Sequence, residues 1–262
     1  MFLRSIELQA TALPDVYPFT VPAIATLESL EFTAPVTIFV GENGCGKSSL
    51  LEAIACGMQC PAVGATDVAR DPLLAPARAL AKKLKFVRST SPKLRLFFRA
   101  EDAIGFTRAL QSNLNELEEL EAAYDRELTG YGRDLAKGTV RGQRNALEAR
   151  YGENPDARSH GEWFINLIQQ RVHGKGLYLL DEPETPLSPI HQLSLLSIML
   201  EAVDAGAQFI IATHSPILMA CPGATLYNLD GMTINNVDWE DVEHVQIMRA
   251  FLKDPDAYLR HL

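Results

Sequence analysis

The chain has 262 residues, of which 47% are hydrophobic and 22% charged, and its formal net charge is −9. This apolar fraction excludes a wholly disordered protein, and the length suits one large α/β domain or one domain that carries an insertion. No apolar stretch approaches the ~20 residues that span a bilayer, so we expect a cytoplasmic protein without a membrane span. The acidic balance does not indicate a nucleic-acid surface by bulk electrostatics.

The first half of the chain begins with strand-like patterns at residues 1–9 and 27–40, which flank a Pro-rich connection. Residues 41–49, with the sequence GENGCGKSS, follow a β-branched apolar run and precede a Leu/Ala-rich helical run. Strand, glycine turn and helix in this order are the context that a P-loop requires. The pattern therefore predicts a site for the phosphates of a nucleotide.

Each residue type in this loop has a physical role. Gly41 and Gly46 let backbone N–H groups turn towards phosphate oxygens, and Lys47 brings a positive charge to the β- and γ-phosphates. Ser48 would place its hydroxyl on Mg²⁺. The helix that starts near Lys47 directs its positive dipole end towards the same anion.

The middle of the chain alternates as a strand over residues 93–99 and becomes Leu-periodic and acidic over residues 107–128, which predicts an amphipathic helix. Residues 130–155 are rich in glycine and charge, and we expect a mobile insertion there. A basic bias in residues 133–150 has two interpretations: a solvated helical face, or a local nucleic-acid site.

The second half returns to an α/β pattern. Residues 176–182 form an apolar run that ends in Asp181 and Glu182, and a second apolar run, 208–213, ends at His214. Both read as buried parallel strands, and ligands bind at the carboxyl ends of such strands. The pattern therefore places Asp181, Glu182 and His214 at the edge of the sheet where the parallel strands end.

These side chains have both structural and chemical interpretations. Asp181 is placed like an aspartate that holds the Mg²⁺ shell, and Glu182 is placed to orient and deprotonate the attacking water. His214 would sense the γ-phosphate. The alternatives are an acidic strand-to-loop junction and a histidine that caps a strand end.

Four segments together resemble an ABC-type ATPase cassette: residues 41–49, 159–162, 179–184 and 212–216. The chain is most similar to the soluble, transporter-less ABC/AAA-type predicted ATPases, which are relatives of the ATPase heads of SMC proteins and overcoming-lysogenization-defect nucleases. The resemblance implies an α/β P-loop NTPase fold with an ABC-ATPase-like mixed sheet, helices on both faces and an inserted helical subdomain. It also implies ATP and Mg²⁺ as cofactors, and hydrolysis of ATP to ADP and phosphate.

The resemblance assigns roles to individual residues. The implied phosphate cradle comprises Gly41, Asn43, Gly44, Cys45, Gly46, Lys47, Ser48 and Ser49. Asp181 corresponds to the metal-side aspartate, Glu182 to the general base and His214 to the switch histidine, with Lys47 assisting at the phosphates. Ser159 and Gly161 resemble the signature motif, which in that family reaches the γ-phosphate held by a partner subunit. The resemblance therefore implies an ATP-dependent homodimer.

The chain departs from the family pattern in two motifs. His160 and Glu162 stand where transporter-like signatures carry glycines, and no glutamine stands at the turn that follows residues 93–99. Glu101 is the substitute candidate there as a metal or water ligand, and the alternative is an exposed acid at a strand end. Tyr17 or Phe19 would stack on adenine or simply pack in the core.

The expected organisation has three segments. Residues 1–106 carry the P-loop part of the ATP-binding core, residues 107–170 the helical subdomain with the signature-like motif, and residues 171–262 the rest of the core. The leading hypothesis is an ATPase that dimerises around MgATP and drives or licenses an unidentified protein partner. The alternatives are the ATPase subunit of an ABC transporter, a nucleic-acid-processing ATPase in repair or phage defence, and a non-hydrolysing nucleotide switch.

Overall fold

A computed structural model describes residues 1–9, 12–63, 68–151 and 160–260, without the side chains of residues 101–104, 106–111, 148–151 and 160. The strands in these ranges are β1 Leu3–Leu8, β2 Ser29–Glu31, β3 Val36–Val40, β4 Leu84–Arg88, β5 Leu94–Arg99, β6 Gly176–Asp181, β7 Gln208–Ala212, β8 Thr225–Asn228 and β9 Asn235–Val237. The α-helices are α1 Pro22–Ala25, α2 Lys47–Met58, α3 Ala75–Ala81, α4 Ala100–Glu127, α5 Tyr131–Tyr151, α6 His160–Arg171, α7 Pro189–Asp204, α8 Pro216–Met219, α9 Glu243–Lys253 and α10 Pro255–Leu259. Short 3₁₀ turns lie at Pro72–Leu74 and Trp239–Asp241.

The main sheet has the strand order β5-β6-β7-β3-β8-β9. Its first five strands are parallel, and β9 runs antiparallel to β8. Every residue of β3, β6 and β7 is buried, which explains why these strands are continuous apolar runs rather than alternating ones. The carboxyl ends of β3, β6 and β7 consequently meet at one edge of the sheet.

Helices cover both faces of this sheet. One buried cluster joins it to α2, α3 and the small sheet, and a second joins it to α6, α7 and α8. The mixed sheet with helices on both faces confirms the predicted fold class. No helix in the described part of the chain is long and apolar enough to cross a membrane.

A second, three-stranded antiparallel sheet has the order β2-β1-β4. Buried Gln208, the first residue of β7, connects it to the main sheet. The side-chain amide of Gln208 accepts hydrogen bonds from the backbone N–H groups of Phe2 and Leu3 and donates one to the Leu3 carbonyl. These bonds satisfy an otherwise costly buried amide and fix β1 against the core.

Helices α4 and α5 form an antiparallel pair, and the 28 residues of α4 extend over about 42 Å. Tyr131–Tyr151, within the glycine- and charge-rich residues 130–155, is a helix. Glycine lowers helix propensity locally, but packing and ion pairs against α4 outweigh that cost. Buried Val140 of α5 and buried Leu114 of α4 supply part of this packing.

Candidate functional site

The glycine loop begins where β3 ends and leads directly into α2, as the sequence predicted. Gly41, Gly44 and Gly46 have φ values of 137°, 84° and 104°, which L-residues rarely adopt. A Cβ on Gly46 would lie 2.9 Å from Cγ1 of Val21, so glycine is required there for space as well as for conformation. The loop geometry thus depends on the residues that the P-loop pattern specifies.

Lys47 lies at the centre of this loop. Its side chain is buried, and its Nζ donates hydrogen bonds to the carbonyl oxygens of Gly41 at 2.7 Å and Glu42 at 2.8 Å. The Sγ of Cys45 lies 3.8 Å from the same nitrogen. The ammonium group is therefore held inside the loop, where a phosphate-binding cation is needed.

Ser48 and Asp181 come together although 133 positions separate them in the sequence. The Ser48 hydroxyl donates a hydrogen bond to Oδ1 of Asp181 at 3.0 Å. Burial, assisted by the negative charge of nearby Glu182 and opposed by the Ser48 hydrogen bond, raises the pKa of Asp181 to about 7. A hydroxyl and a carboxylate are hard oxygen donors, so this pair fits one side of a Mg²⁺ coordination shell.

Glu182 follows β6 and has a left-handed backbone with φ of 47°, which is uncommon for a residue other than glycine. Its N–H donates to the carbonyl oxygen of Ala212 at 2.9 Å, so the end of β7 holds this backbone. Strain of this kind concentrates at functional sites. This conformation turns the chain sharply after Asp181 and keeps the Glu182 carboxylate beside Asp181.

His214 follows β7 in the same region. Its backbone N–H donates to Oε1 of Glu184 at 2.6 Å, and its Nε2 is buried without a hydrogen-bond partner among the described residues. Burial lowers the pKa of His214, and the positive charge of Lys47 lowers it further, against the opposing effect of Glu182 and Glu184. His214 is therefore a neutral imidazole near pH 7.

The remaining cradle residues have different environments. Asn43 and Gly44 are exposed, and Ser49 is buried with its Oγ 2.5 Å from Oη of Tyr17. Burial raises the pKa of the Cys45 thiol, which is only partly offset by Lys47. Cys45 therefore remains a thiol at neutral pH and lines the loop as an uncharged group.

The signature-like residues are only partly described. Ser159 and the side chain of Glu101 lie outside the described residues. Gly161 lies in the first turn of α6, where a Cβ would approach His191 Nδ1 to 2.7 Å and the Pro186 carbonyl oxygen to 3.0 Å. Gly161 therefore packs closely against the segment that leads into α7 of its own chain.

Two contacts to the loop were not predicted from the sequence. Asp230 lies in the loop that follows β8, and its Oδ1 accepts a hydrogen bond from the Glu42 N–H at 2.5 Å. The two expected roles of Tyr17 were adenine stacking and core packing, and its hydroxyl contact with Ser49 was not expected. Phe19 is buried in the core, which favours its packing interpretation. No local motif marks Asp230, since its role depends on β8 lying beside β3.

Two family models match the chain. One, described as "AAA domain", covers residues 23–129, and the other, described as "AAA domain, putative AbiEii toxin, Type IV TA system", covers residues 163–220. The matched ranges contain the P-loop and both strand ends that carry Asp181 and His214. The models thus cover the segments that form the site.

Two curated proteins are similar over most of the chain. The hemin import ATP-binding protein HmuV of Pseudomonas entomophila is 29% identical over 182 residues, which are 69% of this chain and 67% of that protein. The cytochrome c biogenesis ATP-binding export protein CcmA of Rhodopseudomonas palustris is also 29% identical over 182 residues, 68% of this chain and 77% of that protein.

Among solved structures, CbiO1 from Clostridium perfringens, part of the ABC transporter complex CbiONQ, aligns with a TM-score of 0.45 and 15% identity. The alignment covers 100% of this chain and 99% of that one. The sequence matches, together with the P-loop between β3 and α2, show AAA/ABC-type P-loop ATPase domains in this chain.

Proposed function

We propose that this ATPase binds MgATP at the glycine loop and hydrolyses it within a dimer that forms around the nucleotide. The observation that carries the proposal is the 3.0 Å hydrogen bond between Ser48 and Asp181. It joins the two residues that a metal–phosphate site requires, beside a buried lysine. A glycine turn that merely resembles a P-loop has no need of this long-range pairing.

In the proposed mechanism, backbone N–H groups of the loop and the start of α2 bind the phosphates, and Lys47 neutralises part of their charge. Ser48 and Asp181 would hold Mg²⁺, which supplies further positive charge at the phosphate oxygens when bound. Lys47 would exchange its bonds to the Gly41 and Glu42 carbonyls for phosphate oxygens. Such preorganised charge is a large contribution to phosphoryl transfer.

Glu182 would act as the general base that orients the attacking water and accepts its proton. His214 would contact the γ-phosphate through Nε2, which is buried and lacks a hydrogen-bond partner among the described residues. The lowered pKa of His214 favours a neutral ring there. Its Nε2–H would then donate a hydrogen bond to phosphate oxygen without adding a competing positive charge.

We propose that Ser159 and Gly161 act on ATP bound by a second copy of the chain, and that residues 184–189 contribute to the contact between copies. Association would depend on ATP because contacts to the γ-phosphate exist only in the closed state. Hydrolysis removes these contacts and would open the dimer. The opening and closing would in turn drive or license a protein partner.

A second candidate is the ATPase subunit of an ABC transporter. The names of the two curated relatives, an import and an export ATP-binding protein, favour it. The turn after β5 lacks the glutamine that the family usually carries there, which disfavours this candidate. Arg99, the last residue of β5, is paired with Asp71 at 2.8 Å. Copurification with an integral membrane protein would support this candidate.

The nucleic-acid alternative had two supports, the family resemblance and the basic residues of the segment 133–150, which lies in α5. Lys137, Arg141 and Arg144 each form an ion pair with Glu121 of α4, at 3.9, 2.5 and 3.4 Å. Pairing within the chain lowers the positive charge available for phosphates of DNA or RNA. The structure therefore favours the solvated helical face over a nucleic-acid site for this segment.

The test of the proposal is steady-state phosphate release from MgATP by Glu182→Gln, with Glu201→Gln at an exposed position of α7 as the matched control. Loss of a general base lowers turnover by about 10²–10⁴-fold. ATP binding should be retained because Gln keeps the size and polarity of the side chain. Turnover of Glu182→Gln equal to that of Glu201→Gln would contradict the assignment of the base.

A further inference from the structure

Asp230 lies beside the glycine loop, although it belongs to the segment that follows β8. Strand β8 pairs in parallel with β3, and their register places Asn228 opposite Val40, the residue before the loop. The Leu229 N–H donates to the Val40 carbonyl oxygen at 3.0 Å, which extends the contact by one residue. The Asp230 N–H donates to Oδ1 of Asn228 at 2.9 Å. The backbone that carries Asp230 is therefore fixed against the start of the loop.

The Asp230 carboxylate and the Lys47 ammonium bind opposite sides of one peptide group. Oδ1 of Asp230 accepts the Glu42 N–H at 2.5 Å, and Nζ of Lys47 donates to the Gly41 carbonyl oxygen at 2.7 Å. This N–H and this C=O belong to the same peptide group, and in a trans peptide they point in opposite directions. The peptide between Gly41 and Glu42 thus connects an anion to a buried cation.

This arrangement constrains the peptide more than two separate hydrogen bonds would. Bonds to charged groups are stronger than neutral ones, and a peptide polarised from both ends strengthens each of its bonds. Gly41 permits the close approach, because a Cβ there would lie 2.7 Å from Oδ1 of Asp230. Burial is the main reason that the pKa of the Cys45 thiol is raised, and the negative charge of Asp230 adds to this effect. The carboxylate therefore acts on the loop as well as on one N–H group.

We infer that Asp230 is a positioning residue for ATP: through the peptide between Gly41 and Glu42, it holds Lys47 where the ammonium reaches phosphate. The inference rests on the proposed function, because it takes the glycine loop as the ATP site. Asp230 would not contact phosphate itself, since two negative charges repel each other. Its contribution therefore depends on the hydrogen bond to Glu42 and on the presence of Lys47.

The first test is isothermal titration calorimetry with adenylyl imidodiphosphate, a non-hydrolysable ATP analogue, and Mg²⁺. Asp230→Ala removes the acceptor and should weaken binding by about tenfold. Asp230→Asn keeps an acceptor without the charge, so its affinity should stay within about threefold of wild type. The matched control is Asp238→Ala, which changes an exposed aspartate whose side chain caps no helix N–H, and it should change affinity by less than about twofold.

Equal weakening by Asp230→Ala and Asp230→Asn would overturn the inference, because the charge and not the hydrogen bond would then matter. An affinity of Asp230→Ala equal to that of Asp238→Ala would also overturn it. In the second case the glycine loop still binds ATP if Lys47→Ala weakens binding, so the proposed function survives. If Lys47→Ala leaves the affinity unchanged, the proposed function and this inference fail together.

A double-mutant cycle tests whether Asp230 acts through Lys47. In the Lys47→Ala background the ammonium is absent, so Asp230→Ala should change the affinity for the same analogue by less than about twofold. A purely structural role of Asp230 would weaken binding by the same factor in both backgrounds. The full tenfold effect of Asp230→Ala without Lys47 would therefore overturn the inference.

Discussion

The proposed nucleotide site and the α4–α5 pair are held together by different forces. At the site, buried strands bring Ser48, Asp181 and Glu182 together from distant parts of the chain. In the α4–α5 pair, residues close in sequence join two helices through ion pairs centred on Glu121. Buried packing determines positions to a fraction of an ångström, whereas partly exposed ion pairs are weaker constraints and are screened by salt.

Because of this difference, substitutions in the two regions should have different effects. Chemistry that requires a hydroxyl, a carboxylate and an ammonium within hydrogen-bonding distance belongs to the packed core. A helical pair that exposes Tyr131 and Leu135, at 82% and 62%, has a surface that substitutions can change at low cost to the fold. Substitutions in the core should therefore affect ATP chemistry, and substitutions in the helical pair should affect only local stability.

The largest effect is expected at Lys47. Lys47→Ala removes the buried ammonium from the loop and with it a charged hydrogen bond to phosphate, which should weaken ATP binding by about 100-fold. Isothermal titration calorimetry measures this, with exposed Lys82→Ala as the control. ATP affinity of Lys47→Ala within a factor of two of the control would show that the nucleotide does not use this loop.

The next effect concerns Asp181 and pH. Burial raises the pKa of Asp181 to about 7, so the folded protein retains a proton that the unfolded chain releases near pH 4. The stabilisation from this proton is complete at low pH and is lost as pH rises through about 7. Asp181→Asn stays neutral and keeps a hydrogen-bond acceptor for Ser48, so its unfolding free energy should not fall in this way as pH rises.

Between pH 5.5 and 8.5, without Mg²⁺ or nucleotide, wild type should lose about 2 kcal/mol of unfolding free energy relative to Asp181→Asn. Urea denaturation at both pH values measures the difference, and Asp204→Asn at the exposed end of α7 serves as the control. A difference in unfolding free energy between wild type and Asp181→Asn that does not change with pH would contradict the raised pKa.

A smaller effect is expected in the helical pair. Glu121→Ala removes the common partner of Lys137, Arg141 and Arg144, which should cost about 1 kcal/mol or less of stability and leave ATP turnover unchanged. Urea denaturation at low and high salt measures it, with exposed Glu119→Ala as the control. A large loss of turnover would show that the helical pair and the nucleotide site are not independent.

The sequence predicted the parts of the molecule that depend on local pattern. Continuous apolar runs identified β3, β6 and β7, and parallel pairing then placed Asp181, Glu182 and His214 at one edge. The glycines of α5 lower its local helix propensity, so its bounds could not be read from the sequence, and its packing partner is α4. Only the fold brings Asp230 to the glycine loop, so a lone aspartate after β8 gave no signal.

The central claim, a dimer that forms around MgATP, is tested most directly by the molar mass of Glu182→Gln in solution. Light scattering after gel filtration measures it with and without MgATP, since slow hydrolysis should preserve the closed state. We predict a monomer without nucleotide and a dimer with MgATP. A protein that binds ATP and remains monomeric would contradict the account.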